Sequence, residues 1–474
     1  MKTIWNNVTE KPFKSLSEDE KCDVAVIGGG LCGVLTAYRL SKSGLHTILL
    51  EAEKIGSGQI LGTTAKITVC HDEIFSRIEN SFGTDSAMAY AEGELYSIDE
   101  YERIVEEGSI DCSFKRLPAY LYSLYGERQL MREYDIARRC SASCELTKET
   151  ELPFEVALAV KFHNQAQFDP VRFMKGILGE IEVYENTRVL ELDGSRVVCK
   201  NGTVFAKHVV VTTNYPHLCD MKGLFPLKLH RKMAHVCTFG NCKDLSGMYI
   251  GIDGGYNYRS FGDELIVSGE SHVSGKGNGG AYERIRKSTM SHFRGATVGS
   301  SWSAEDSESL DGIPYIGRIK SHHGNIYVAT GFGTWGMTTS MTASILLCDL
   351  ICGRKNPGEK LYSTSRFKMN SSADNLTDSV SRAIDGVLVS RIKETKETAD
   401  IPIDFGMIVR YKGKKAAIYK DKSGELHISE PYCPHMKCEL SWNDDDKTWD
   451  CPCHGSRFDF DGNLISGPAE ENIR

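Results

Sequence analysis

The chain has 474 residues, 41% of them hydrophobic and 25% charged, so about two to four domains with a large core are expected, and disorder, collagen and small disulfide scaffolds are excluded. Fifty-six Lys and Arg against 64 Asp and Glu leave a net charge of -8, which does not point to a nucleic-acid partner. No stretch reaches the roughly 18 uninterrupted apolar residues of a spanning helix, and the first 23 residues carry scattered charge instead of a basic start and an apolar core, so a cytoplasmic protein without a membrane span is expected.

In chain order, DVAVI at 23–27 predicts a buried strand, LCGVLTAYRLSK at 31–42 a helix, and HTILLE at 46–51 a second buried strand. From 52 to about 355 amphipathic helices such as 84–107 mix with strand runs such as 208–213 and 325–330. Between 369 and 402 the chain turns polar at both ends, and Val380, Ile384, Val387, Leu388 and Ile392 are spaced for one amphipathic helix, which reads as a connector. Beyond it, IPIDFGMIVRYKGKKAAIYKDKSGELHIS alternates and turns like short strands of a small all-β domain.

Gly28, Gly30 and Gly33 fit G-x-G-x-x-G between the first strand and its helix, where bare backbone lets a pyrophosphate approach the helix N-terminus. Glu51 ends the second strand, where a carboxylate can accept hydrogen bonds from both ribose hydroxyls of an adenosine. Gly275, Gly277 and Gly280 satisfy the same expression, but they follow the polar SGESHVS and lack the preceding apolar strand. One dinucleotide site without a second points to FAD.

Twelve of the sixteen cysteines are scattered from Cys22 to Cys352, and four crowd between Cys433 and Cys453. Cys433 and His435 form one pair, Cys451 and His454 another, with fifteen residues between His435 and Cys451. Two loops that each offer a thiolate and an imidazole can put two sulfurs on one iron and two nitrogens on the other, the Rieske arrangement. Structural zinc is the rival, although its pairs are usually Cys with Cys.

On these residues the chain resembles two families. Residues 20–367 resemble the D-amino-acid oxidase and glycine oxidase superfamily through DVAVIGGGLCG with Glu51, FAKHVVVTTNYP at 205–216, LDGIPYIG at 310–317 and VATGFGTWGMT at 328–338. That resemblance implies a backbone contact from Val189 to adenine, and Gly331, Gly333 and Met337 lining the isoalloxazine end. The helix expected after GFGTWG would turn its positive end toward anionic flavin. It also draws attention to His71, near where some relatives attach FAD covalently; a packed or surface histidine is the reading favoured here. Residues 403–469 resemble Rieske domains of the cytochrome bc type through CPHMKC, CPCHGSRF and GPA, which implies a disulfide between Cys438 and Cys453. Ser456 holds the family's donor position to the cluster, and Phe458 stands where high-potential members carry tyrosine, so a potential between plant-type ferredoxins and the highest Rieske proteins is expected.

Relatives that oxidise α-amino acids resemble one another in an arginine shortly before DG-x-P-x-IG, whereas here no arginine lies between Arg294 and Arg318. The stretch is more similar to amine-oxidising relatives such as gamma-glutamylputrescine oxidoreductases, so a cationic amine is favoured. Arg259, in YNYRSF, is the one candidate catalytic residue, against the commoner solvated or structural role of an arginine. The expected fold class is α/β and α+β. An FAD-binding Rossmann-type domain with an interleaved antiparallel-sheet substrate domain spans 1–368, a linker with the amphipathic helix 369–402, and an all-β Rieske [2Fe-2S] domain 403–474. The expected activity is FAD-dependent oxidation of a C–N bond in a small amine or amino acid, with electrons passing from flavin to cluster and on to an external acceptor. The alternatives are an electron-transfer reductase fed by a partner or NAD(P)H, and a terminal domain that only holds structural zinc.

Overall fold

The computed structural model describes residues 3–5, 12–219, 224–320, 325–366, 396–397 and 401–473. The amphipathic helix expected between 369 and 402 falls outside them, apart from 396–397, a two-residue strand, and 401–402.

Glu20–Ile27 is the central strand of an eight-stranded sheet and pairs in parallel with Thr47–Leu50 on one side and Gly202–Val211 on the other. A strand covered on both faces has no solvent side, which is why it reads as the unbroken apolar run VAVI. The parallel strands Glu182–Tyr184 and Ile326–Thr330 extend the sheet, Tyr315–Arg318 closes one edge antiparallel, and the hairpin 189–199 hangs from the Gly202–Val211 strand. Helices Leu31–Lys42, Thr84–Glu107 and Gly336–Ile351 share an apolar core with this sheet, through Val34, Leu35, Ile98, Tyr101, Met341 and Leu347.

The second sheet has nine strands, mostly antiparallel. At its edge lies the longest strand, Thr297–Ser309, paired with Leu229–Gly240, which pairs in turn with Glu264–Val273. The chain crosses repeatedly between the two sheets, so neither is a contiguous stretch of sequence.

Residues 401–473, with 396–397, build two further four-stranded sheets. The first holds 396–397, Phe405–Tyr411, Lys414–Lys420 and Leu426–Ser429; the second holds Ser441–Asn443, Thr448–Asp450, Arg457–Asp459 and Leu464–Ser466. The sheets meet at Trp442, which stacks on Tyr419 and lies so close to Gly406 that a β-carbon there would be 2.3 Å from the indole. Among the described residues no helix is long and apolar enough to cross a membrane.

Candidate flavin cavity and cluster loops

A cavity of about 1160 Å³ runs from the turn after the first strand to the edge of the second sheet. At one end lie Gly28, Gly29 and Gly30. Gly28 has φ +106°, and a β-carbon on it would sit 2.8 Å from the Thr212 carbonyl oxygen; beside Gly30 a β-carbon would meet nothing within 4 Å. Gly30 caps the helix Leu31–Lys42, so free backbone N–H groups and the positive end of the helix dipole meet open space there. Gly33 does not line the cavity. Its missing β-carbon would be 1.9 Å from the Gly28 carbonyl oxygen, so it serves the close packing of helix on strand. Glu51 accepts hydrogen bonds from the Gly29 N–H at 2.6 Å and the Glu53 N–H at 2.8 Å, and burial pushes its carboxyl up. Val189 lines the same end.

At the other end Gly331 and Gly333 take φ +76° and +59° in the turn before the helix Gly336–Ile351, and both line the cavity with Met337. Gly331 packs under Leu229 and Ser309, where a β-carbon would lie 3.1 Å from the end of the Leu229 side chain. His71 is buried in the cavity wall. Its ring stacks on Trp335 at 4.7 Å, its Nδ1 meets the Tyr90 hydroxyl at 2.6 Å, and burial lowers it to about 3, so it is neutral. Arg259 does not line the cavity. It is fully buried, donates to the Ala65 carbonyl at 2.6 Å and stacks over Phe261; burial lowers its guanidinium to about 9. It props up the segment carrying Thr63, Thr64 and Lys66, which do line the cavity.

In the C-terminal domain Cys433 and Cys451 are buried with their sulfurs in hydrogen-bond contact, and the His435 and His454 rings lie 5.1 Å apart at 82°. Each cysteine starts a tight loop: Lys437 N–H donates to the Cys433 carbonyl and Gly455 N–H to that of Cys451, both at 2.9 Å. A disulfide joins Cys438 and Cys453 across the two loops. Ser456, fully buried, hydrogen-bonds the Cys433 sulfur and accepts from the Ala469 N–H at 2.9 Å. Phe458 is buried in the apolar core of the domain.

Two family models match: FAD dependent oxidoreductase over residues 23–350, and Rieske [2Fe-2S] domain over residues 393–474. The chain belongs to the FAD-dependent oxidoreductases. It carries a Rieske domain at its C-terminal end, and the two cofactors are FAD and a [2Fe-2S] cluster. The Rieske 2Fe-2S iron-sulfur protein YhfW of Bacillus subtilis is 34% identical over all of this chain and 97% of its own length. Gamma-glutamylputrescine oxidoreductase of Escherichia coli is 25% identical, with 72% of this chain and 86% of that protein covered. Among solved structures, glycine oxidase from Geobacillus kaustophilus superposes with a TM-score of 0.64 at 18% identity, over 74% of this chain and all of that one.

The residues present fit both groups. The glycine turn, Glu51 and the positive-φ turn at 331–333 surround space that side chains would fill, and the two Cys–His loops offer the mixed thiolate and imidazole donors of a Rieske centre.

The oxidoreductase and Rieske parts meet across one layer of sheet. Along Leu229–Gly240 and Thr297–Ser309 successive side chains point to opposite faces. Lys232, Ala234, Val236, Ala304, Asp306 and Glu308 line the flavin cavity from one face, and Arg231, Ser303 and Glu305 of the other face border it too. From the other face Arg231 donates to the Gly467 carbonyl at 2.8 Å, Ser303 to Asp446 at 2.6 Å, and the Met233 sulfur accepts from Asn443 at 3.4 Å. Glu305 pairs with Arg231 at 2.9 Å and accepts from Ser274 and Ser466. Arg457 pairs with Asp446 at 2.7 Å and Asp450 at 3.2 Å. Two glycines let the domains close up. At Gly275 a β-carbon would be 2.8 Å from Pro452 N, and at Gly455 one would be 2.5 Å from the Arg231 side chain. The second G-x-G-x-x-G match is therefore part of a docking surface, and the cavity itself reaches Arg457 and the Ile465–Gly467 turn.

Sequence reasoning missed this docking set and the cavity residues of the two long strands. The one signal available was the alternation in LHRKMAHV and SAEDSES, which gives two faces without naming what each meets.

Proposed function

We propose that this oxidoreductase removes two electrons from the C–N bond of a small amine or amino acid and sends them through the Rieske cluster to an external acceptor. The observation that carries the reading is the shared sheet, with the flavin cavity on one face of the 229–240 and 297–309 strands and the Rieske domain seated on the other. The Tyr215 ring lies 6.4 Å from the ring of the cluster ligand His454, and Thr212, Thr213 and Asn214 just before it line the cavity. The relatives named gamma-glutamylputrescine oxidoreductase and glycine oxidase support an amine or amino acid as donor.

FAD, when bound, accepts a hydride from the carbon that bears nitrogen. The substrate loses that hydride and one proton from nitrogen, and water splits the resulting imine into a carbonyl compound and an amine or ammonia. The chain's part is to orient and enclose. His71, neutral and stacked on Trp335, adds no charge to the cavity wall, and the Rieske turn at 465–467 helps close that wall. A cytoplasmic setting belongs to this reading, because twelve cysteines besides Cys433 and Cys451 stay free beside the single disulfide.

The test is an anaerobic screen of amines and amino acids for flavin bleaching, with electron paramagnetic resonance following the cluster. The expected result is bleaching by a member of the panel, then the signal of a reduced Rieske centre. Rapid bleaching by NADH with none by any amine or amino acid would replace this reading with the electron-transfer module.

A further inference from the structure

The cavity-facing layer of the two long strands carries a charge that nothing balances. In register Lys232 stands opposite Asp306, and His230 opposite Glu308. Glu308 takes both Lys232, at 2.6 Å, and the His230 ring, at 3.4 Å, and although burial acts to raise its carboxyl, those partners hold it down at about 2. Arg231, which also borders the cavity, is occupied by Glu305 and the Gly467 carbonyl. Asp306 is left with no hydrogen bond and no ion pair among the described residues.

Asp306 lies deep in the protein yet keeps part of its surface open, because it lines the cavity. Its position along the strand relates it to the flavin end. Glu308 bridges to Phe332, and a β-carbon at Gly333 would touch the Glu308 side chain at 3.7 Å. Asp306 is two residues along the same face, roughly 7 Å from Glu308. A carboxylate enclosed by protein without a partner is costly. Burial pushes this one up to about 7, with Arg231 pulling it down and Glu305 and Glu308 pushing it further up, so its ionised form is disfavoured unless a cation stands beside it. The other lysine in the wall, Lys66, is held by the Thr64 hydroxyl at 2.8 Å and driven by burial to about 7, which leaves it a poor anchor for an anion.

We propose that Asp306 anchors the cationic nitrogen of the substrate, so that the substrate class is an alkylamine or diamine rather than an α-amino acid held by its carboxylate. The proposal rests on the amine-oxidising reading above and narrows it.

Two ligands that share a tert-butyl group and differ in charge test it without turnover. tert-Butylammonium carries a positive charge and no α-hydrogen, so it cannot be oxidised; pivalate is its anionic counterpart. Binding of each to the flavin-loaded, cluster-loaded protein is read from the shift of the flavin absorbance bands. The wild type is expected to respond to tert-butylammonium and not to pivalate. Asp306→Asn is expected to weaken that binding about tenfold to a hundredfold, Asp306→Glu to restore much of it, and Asp306→Arg to reverse the preference. FAD content and melting temperature of Asp306→Asn should be unchanged or raised, since an unpartnered buried charge has been removed. A wild-type flavin that responds to neither ligand or only to pivalate overturns the proposal, as does unchanged binding in Asp306→Asn. An amino acid that bleaches the flavin while tert-butylammonium fails to bind would sink the assignment of Asp306 and leave the broader function standing.

Discussion

The four candidate cluster ligands of the Rieske domain fall between Cys433 and His454, whereas the residues around the flavin cavity are drawn from Ile27 to Gly467. In the cluster site two short loops close on themselves through the backbone bonds Lys437 to Cys433 and Gly455 to Cys451, and the Cys438–Cys453 disulfide ties them together. In the flavin site two sheets must cross and dock before the glycine turn at 28–33 faces the turn at 331–333. A site of the first kind depends on local closure. One of the second kind depends on the whole core, and its cost in ordered chain is shared with the fold.

This contrast can be broken in order of expected effect. Replacing Cys451 by Ser is expected to abolish the cluster completely while leaving FAD in place, measured as acid-labile sulfide and the cluster's paramagnetic signal against flavin absorbance. Loss of flavin as well would mean that the two sites are not separable. Arg231→Met strikes between them. It strands Glu305, which is 2% exposed against 5% for Arg231, and breaking such a buried pair costs about 3–5 kcal/mol. A lower melting temperature with both cofactors retained is expected, and Glu305→Gln in the same chain should recover part of it; an unchanged melting temperature would show that the domain contact adds no stability. Ser456→Ala is the smallest change. It removes a hydroxyl from the Cys433 sulfur without opening the domain, and hydrogen bonds to sulfur favour the reduced, more negative cluster. At about 59 mV per 1.4 kcal/mol for one electron, a charge-assisted bond corresponds to a fall on the order of 100 mV in a redox titration. A potential that did not move would remove Ser456 from the tuning of the centre.

The cluster loops were legible because their candidate ligands are adjacent in sequence: the mixed Cys–His pairs carry the chemistry in their spacing. The adenine end of the flavin site was legible for a similar reason, since strand, glycine turn, helix and Glu51 fit within about thirty residues. Arg259 shows where that kind of reading stops. An arginine in a strand gave no sign of which way it would face, and the fold turned it into the core beneath Ala65. His71 drew attention through its position after GTTAKITVC, yet its neutrality comes from burial between Trp335 and Tyr90, a property of packing.

By itself the sequence offered the candidate ligands of the diiron centre, a glycine turn suited to a phosphate and the alternation along the two long strands, because each is set by neighbours a few residues apart. Only the tertiary structure decided that one face of those strands would line the flavin cavity and the other seat the Rieske domain, and that Lys232 would reach Glu308 and leave Asp306 alone. The physical reason is that a pleated strand fixes which side chains share a face, while the partner of each face is chosen by packing between segments more than a hundred residues apart.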